Sequence, residues 1–318
     1  MGRLKNTATA YLDATMSTFS PTAKGALFVI SGAICISFAP LFVRLVDVGP
    51  TPVAFYRLLF GGLALLLIAL ARKERLVPDK AVLFMMLLAA AFFAGDLSCW
   101  HQSILYIGPG LATILTNFQV FFLAIIGVLF LKERLSFALG LSIPLAFIGL
   151  WLLMDVSLAN MPATMSLGLL LGLCTASFYT GYILTLRRSQ SMGTRLPAVA
   201  NMALISLLSA MLSGALSPVL GQSLAIVSAH DAILLILYGV GCQGLGWYLL
   251  SRGLPLLPAS RAGLLMLTQP TLAFVWDVLL LGRPTSLTGY LGAALALFAI
   301  GFGVLSGTGP ASGTKNKA

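Results

Sequence analysis

Eight side chains carry most of the polar chemistry that the interior of this chain could perform. The stretch "FFAGDLSCWHQ" at 92–102 sets Asp96 and Trp100 one helical turn apart in a run that is otherwise hydrocarbon. Gln243 and Trp247 repeat the spacing far along the chain. Asn117 and Gln119 sit in "TNFQVFF", Gln269 in "MLTQPTL" behind Thr268, and Arg57 in "TPVAFYRLLF". An acid, a guanidinium and neutral amides among aromatic rings suit reversible capture of a small zwitterion or cation, charge against charge and apolar surface against ring. Catalysis fits poorly. The two histidines, His101 and His230, are isolated, the nine acids are scattered, and no nucleophile–base pair or HExxH-type motif is present. Cys35, Cys99, Cys174 and Cys242 form no CxxC and stand near no His pair, so they read as small apolar packers. No catalytic residue, metal or cofactor is expected.

The elements that position these residues follow from composition. Of 318 residues, 59% are hydrophobic and 9% charged, and the mean hydropathy of +1.00 is that of a chain living in a bilayer. Crossing a hydrocarbon core of about 30 Å takes roughly 20 mostly apolar residues. Ten such runs lie near 25–46, 52–71, 81–106, 109–131, 136–154, 166–186, 197–216, 232–252, 258–281 and 286–307. Turn signals separate them: "VGPTP", "IGPG", "ANMP", "LSP" and "GRPTS". The expected fold is an all-α integral membrane protein of ten transmembrane helices, because runs this long and continuous exclude the ~10-residue alternating strands of a barrel. Residues 1–24 contain no apolar core of a signal peptide and read as a disordered cytoplasmic tail, as do 308–318.

Charge orients the chain. Cytoplasmic loops collect Lys and Arg, and with the amino terminus inside, sixteen of the 19 basic residues fall on inner segments. Only Arg44, Arg57 and Arg283 remain for the outer half, so both termini are expected in the cytoplasm. The net charge of +10 is thus spread over loops at one membrane face, which excludes a nucleic-acid groove.

The chain also repeats itself. Ser37-Phe38 is matched by Ser177-Phe178, Pro52 by Pro197, Asp96-x-x-x-Trp100 by Gln243-x-x-x-Trp247, "TNFQVFF" by "MLTQPTL" and "LKERLS" by "LGRPTS". The offset grows smoothly from 140 to 150 residues. A duplicated unit of five spans places 25–155 in one repeat and 156–307 in the other. Five is odd, so the second copy enters the membrane from the opposite side. Two inverted five-helix repeats can exchange conformations about a site near the midplane, which is the geometry of alternating access.

On these residues the sequence resembles the drug/metabolite transporter superfamily, specifically its EamA-like ten-helix members. The resemblance covers roughly 25–307 and rests on "TPVAFYRLLFGGLALLLIAL", on "YIGPGLATILTNFQVFFLAIIGVLFLKERLS" and on the repeat. Two departures stand out: Gln119-Val120 replaces a proline often found in the fourth span, and Arg283 stands where the first copy has Glu133. The resemblance implies a plasma-membrane carrier that exports or exchanges a small metabolite such as an amino acid. A channel is the alternative reading, and a membrane-embedded enzyme a weaker one. The partners implied are that small molecule, the lipid bilayer and, as a candidate coupling ion, the proton, since a carboxyl in a membrane interior can load and release one; no oligomer is specified.

Residue roles follow from helix geometry. At about 100° per residue, Phe92, Asp96, Cys99, Trp100 and Ser103 share a face, with His101 turned about 140° from Asp96. A carboxylate facing lipid costs at least ~2.5 kcal/mol, so that face points inward. Asp96 either meets substrate or is a buried acid tied to an arginine or hydroxyl. Trp100 and Trp247 are walls toward the outer and inner mouths, or else interfacial anchors. Arg57 pairs with Asp96, receives a substrate carboxylate or snorkels; Arg44 snorkels. His101 reads as a headgroup-level residue, with a proton relay as the alternative. Asn117, Gln119, Thr268 and Gln269 line the site or tie helices together; Pro270 kinks its helix, and Glu133 and Asp277 serve local ion pairs. The orientation has a direct test: a reporter fused after residue 155 should report the outside, and one after residue 190 the cytoplasm. The reverse pattern overturns both orientation and inversion.

Overall fold

The computed structural model describes residues 20–119, 121–123, 125–126, 137–154, 162–192, 196–257 and 265–306. Of the tail expected at 1–24, residues 1–19 lie outside the described residues, as do 308–318 and Glu133, whereas Pro21–Lys24 already belong to the first helix. Six helices are long and apolar enough to cross a membrane by length and composition, and shorter apolar helices accompany them. Together they account for ten helical spans. The first comprises α1 (Pro21–Ser37) and α2 (Ala39–Leu45), the second α3 (Pro50–Ala71) and the third α4 (Lys80–Ile107). The fourth begins with α5 (Pro109–Thr116), the fifth is α6 (Phe137–Met154), the sixth α7 (Ala163–Ser191) and the seventh α8 (Ala198–Val219). The eighth runs from α9 (Ala229–Leu237) through a π-helix (Tyr238–Gly246) into α10 (Trp247–Gly253). The ninth contains α11 (Thr268–Leu280) and the tenth is α12 (Leu287–Ser306).

Local chemistry sets these starts. Ser20 caps α1 by accepting from the Ala23 N–H at 3.2 Å, and α1, α2, α3 and α5 each place proline in the first turn, where its missing N–H has no intrahelical partner to lose. Three details differ from the sequence reading. The second span opens at Pro50 rather than Pro52. The seventh runs through the expected "LSP" turn to Val219, because a proline in the last turn leaves most of the helix's bonds intact. Pro270 does not kink a continuous helix: the chain breaks earlier, at Leu267, and Pro270 sits in the first turn of α11.

Packing is dominated by contacts between halves. α4 packs along α7, and in the matching relation α10 and the π-helix pack along α1; α3 on the π-helix is matched by α8 on α4, and α5 on α7 by α11 on α1. The pairs α3–α8, α5–α11 and α6–α12 map onto themselves. A contact pattern unchanged by exchanging each span with its counterpart five spans away is that of two-fold related halves. Direction is fixed at α3 and α8: Glu74 beyond the end of α3 accepts from the Ala200 N–H at the start of α8 at 3.2 Å, while Gln222 beyond the end of α8 accepts from the Thr51 N–H at 2.9 Å. The equivalent spans therefore run antiparallel.

The fifth and tenth spans approach closest. A Cβ at Gly149 would lie 2.4 Å from the Ala296 backbone nitrogen, and one at Gly292 would lie 2.4 Å from that of Leu153. Small residues let backbones meet where hydrocarbon supplies no hydrophobic drive for helix association. Gly149→Val should therefore lower the thermal stability of detergent-solubilised protein by about 1–3 kcal/mol or abolish folding. Gly241→Ala, where an added Cβ meets nothing within 4 Å, should melt like the parent. Equal melting curves for the two variants would remove this contact as a stability determinant.

Candidate functional site

A cavity of about 130 Å³ lies between the halves, where the fourth and ninth spans are both interrupted. Asn117 and Phe118 break the helical run after α5, and Leu267 breaks the run before α11. Of the eight residues singled out by sequence, Asp96, Trp100, Arg57, Asn117, Gln119, Trp247 and Gln269 all line this cavity. Gln243 does not. It is 1% exposed and stands behind the wall, its Oε1 accepting from Arg57 Nε at 3.0 Å and its Nε2 donating to Ser206 Oγ at 3.2 Å.

The π-helix explains that placement. In an α-helix, residues five apart point about 140° away from each other, whereas i→i+5 bonding brings them over one another. Tyr238 and Gln243 thus both reach Arg57, the tyrosine hydroxyl accepting from NH1 at 2.9 Å. Close backbone approach makes room: a Cβ at Gly61 would fall 2.4 Å from that of Gln243, and one at Gly239 would fall 3.0 Å from the Arg57 carbonyl oxygen. The guanidinium carbon lies 5.1 Å from the Tyr238 ring centroid and 5.6 Å from that of Trp100. Arg57 is 3% exposed, so it does not snorkel; among the described residues it makes no ion pair with Asp96.

His101 lies inside the bundle rather than on its surface. It is wholly buried, Nδ1 lying 3.0 Å from the Pro50 carbonyl and Nε2 2.9 Å from the Tyr238 hydroxyl. The inward face of α4 is also rotated from the one expected. Phe93, Asp96, Leu97 and Trp100 meet the cavity, whereas Ser103 donates to the Gly168 carbonyl of α7 at 2.8 Å and Phe92 packs toward Gly181 and Phe178 of the same helix. Tyr179 joins the lining and stacks on Tyr182, which stacks on Phe93 with ring centroids 4.4 Å apart. Sequence reading passed over Tyr179, Tyr182 and Tyr238; "FYTGY" at 178–182, with tyrosines at i and i+3, was the available signal for the first two.

Five of the eight buried polar atoms without a partner among the described residues belong to cavity-lining side chains: Asp96 Oδ1, Gln119 Oε1, Thr113 Oγ1 and the indole nitrogens of Trp100 and Trp247. Each unpaired polar group buried away from water costs about 1–3 kcal/mol, and lipid offers no partner. The side chains around this cavity therefore hold one carboxyl oxygen, one amide oxygen, one hydroxyl and two indole nitrogens that find no partner among the described residues. A wider cleft of about 360 Å³ lies near Arg44 and Arg283, and there Arg283 and Asp277 are paired with each other. Arg283 donates to Asp277 at 3.2 Å and to the Ile107 carbonyl at 3.0 Å, and Asp277 accepts from the Gly110 N–H at 2.9 Å. Asp277 thus serves a local ion pair. Arg44 is exposed.

An all-helical, two-fold related membrane fold around a central polar cavity is the architecture of a two-repeat carrier. Residues 23–155 and 166–305 each match the EamA-like transporter family, so the chain belongs to that family and is a multi-pass membrane transporter. It is 28% identical over 281 residues to the uncharacterized transporter YwfM of Bacillus subtilis (strain 168), covering 86% of this chain and 91% of that protein. A solved structure described only as "Crystal structure of protein" shares the fold, with a TM-score of 0.62 and 17% identity over 88% of this chain and 96% of that chain.

The wall has a chemical test. In a cysteine-free background, a thiol at position 96 should react with a small water-soluble reagent and a thiol at 243 should not, because Arg57 covers it. Equal labelling at both positions would overturn the placement of Gln243 behind the cavity.

Proposed function

We propose that this chain is a secondary carrier of the plasma membrane, both termini cytoplasmic, that exports or exchanges a small metabolite such as an amino acid by alternating access at the central cavity. The observation that carries this reading is the set of five unpartnered polar atoms on side chains that line one cavity between two-fold related halves. A group held at such cost is retained for what it binds, and a small polar molecule with an apolar part satisfies donors, acceptors and rings together. Breaks in both the fourth and ninth spans support the same reading, since discontinuous helices form the midplane sites of carriers. Family membership supports transport of a small molecule across a bilayer.

In this reading Asp96 contacts the substrate or its coupling proton, Trp100 and Trp247 bound the site on either side, and Asn117, Gln119 and Gln269 supply neutral hydrogen bonds. Arg57 offers its charge from the opposite wall, held by Gln243. Export follows from coupling: a proton entering down its gradient neutralises Asp96, weakens its hold on a cationic group and releases it outside. The test is counterflow and gradient-driven transport of the twenty proteinogenic amino acids in liposomes holding the purified full chain. Transport should respond to an imposed pH gradient, and Asp96→Asn should abolish that response. Trp100→Ala and Trp247→Ala should each lower transport by roughly tenfold at unchanged amounts of folded protein, the effect of losing about 1.4 kcal/mol of contact. Gradient-independent transport by parent and Asp96→Asn alike would overturn the coupling, and no transport of any amino acid would overturn the substrate class.

A further inference from the structure

His101 and Tyr238 lie outside the cavity lining, yet they end a buried chain of hydrogen bonds that begins on it. Pro50 has only a carbonyl to offer, so the contact at 3.0 Å requires His101 Nδ1 to carry hydrogen and donate. The Tyr238 oxygen already accepts from Arg57 NH1 at 2.9 Å, and its own hydrogen then needs an acceptor. The one polar atom placed for it is His101 Nε2, also at 2.9 Å. The directions are therefore fixed along the whole path. His101 donates to Pro50, Tyr238 donates to His101, and Arg57 donates to Tyr238. A second proton on His101 would turn Nε2 into a donor, strand the tyrosine hydrogen and set two cations on one buried hydroxyl. The titratable and charged groups that face this path are Arg57 on α3, Asp96 on α4 and, beside Tyr238 on the π-helix, Cys242.

We infer that His101 is a positioning residue: its neutral imidazole, anchored on the Pro50 carbonyl, orients the Tyr238 hydroxyl so that its oxygen holds Arg57 against Trp100 in the wall of the substrate site. The inference rests on the reading of the central cavity as that site. It assigns His101 no proton to carry, because a relay must exchange the very hydrogens that this arrangement locks. It also gives the π-helix a purpose, since only i→i+5 winding brings Tyr238 and Gln243 together onto one guanidinium.

The experiment separates holding from relaying, and the network from the substrate. The full chain in lipid nanodiscs, labelled with 15N-histidine and 15N-arginine, contains two histidines, of which His230 is 71% exposed at its side chain and serves as the internal reference. His101 should show a protonated Nδ1 and a bare Nε2 that stay unchanged between about pH 5 and 8, the range in which an ordinary imidazole changes charge. The Arg57 Nε resonance, assigned by Arg57→Lys, should move in His101→Phe and in Tyr238→Phe but little in His101→Gln, whose amide can donate and accept. In amino-acid counterflow, His101→Phe should raise KM by roughly tenfold with a smaller change in kcat, the expected effect of loosening a charged hydrogen bond, and His101→Gln should restore it. A His101 that takes up a second proton within that range, an Nε2-protonated tautomer, or a His101→Gln as defective as His101→Phe would overturn the inference. Failure of every amino acid to move would count against the substrate class alone, and the nitrogen spectra would still decide the role of His101.

Discussion

A guanidinium cannot lie bare in hydrocarbon, and the middle of this protein is organised around satisfying one. Arg57 is 3% exposed, and an unpaired charge at that depth would cost more than most single contacts return. Its donors go to Gln243 and Tyr238, its faces meet the rings of Trp100 and Tyr238, and those partners are tied in turn to Ser206 and His101. Three of these partners, Gln243, Tyr238 and Ser206, lie in the second half of the chain. The arginine therefore joins the halves as well as lining their shared cavity.

The same constraint explains local irregularity. A regular α-helix would send Tyr238 and Gln243 to different sides, so the eighth span winds more widely for one stretch, and glycines on both helices let α3 approach it. The broken fourth and ninth spans follow a related logic. Backbone that leaves the helical ladder at membrane depth is tolerated where it borders a polar cavity, and both breaks do. Away from the site the chain is conventional, with small residues at the close α6–α12 crossing and large apolar side chains facing lipid.

Asp96 and Arg57 share one cavity without neutralising each other in an ion pair. That separation matters for a carrier. Two opposite charges locked together would bind helices and leave nothing for a ligand, whereas an arginine satisfied by neutral partners leaves the carboxylate available. The cleft at Arg283 shows the contrast. There Arg283 and Asp277 do pair, and they tie the α4–α5 turn to the end of α11, which is a structural use of charge.

The sequence by itself determined the spans, because crossing a bilayer demands long apolar runs whatever their neighbours do, and it determined the duplication, because five spaced matches preserve order. It also picked seven of the residues that meet around the cavity, since a polar group inside such a run has few tolerable places to point. What it could not specify was anything that depended on departing from 100° per residue or on a partner far along the chain. Gln243 reads as a cavity residue only if the eighth span is α-helical, the partners of His101 are invisible until α3 and the eighth span pack against α4, and Tyr238 carries no signal until α3 is laid against it. Those assignments belong to the tertiary structure, because winding, burial and hydrogen-bond direction are settled by which helices pack together, and local sequence pattern records only which face is greasy.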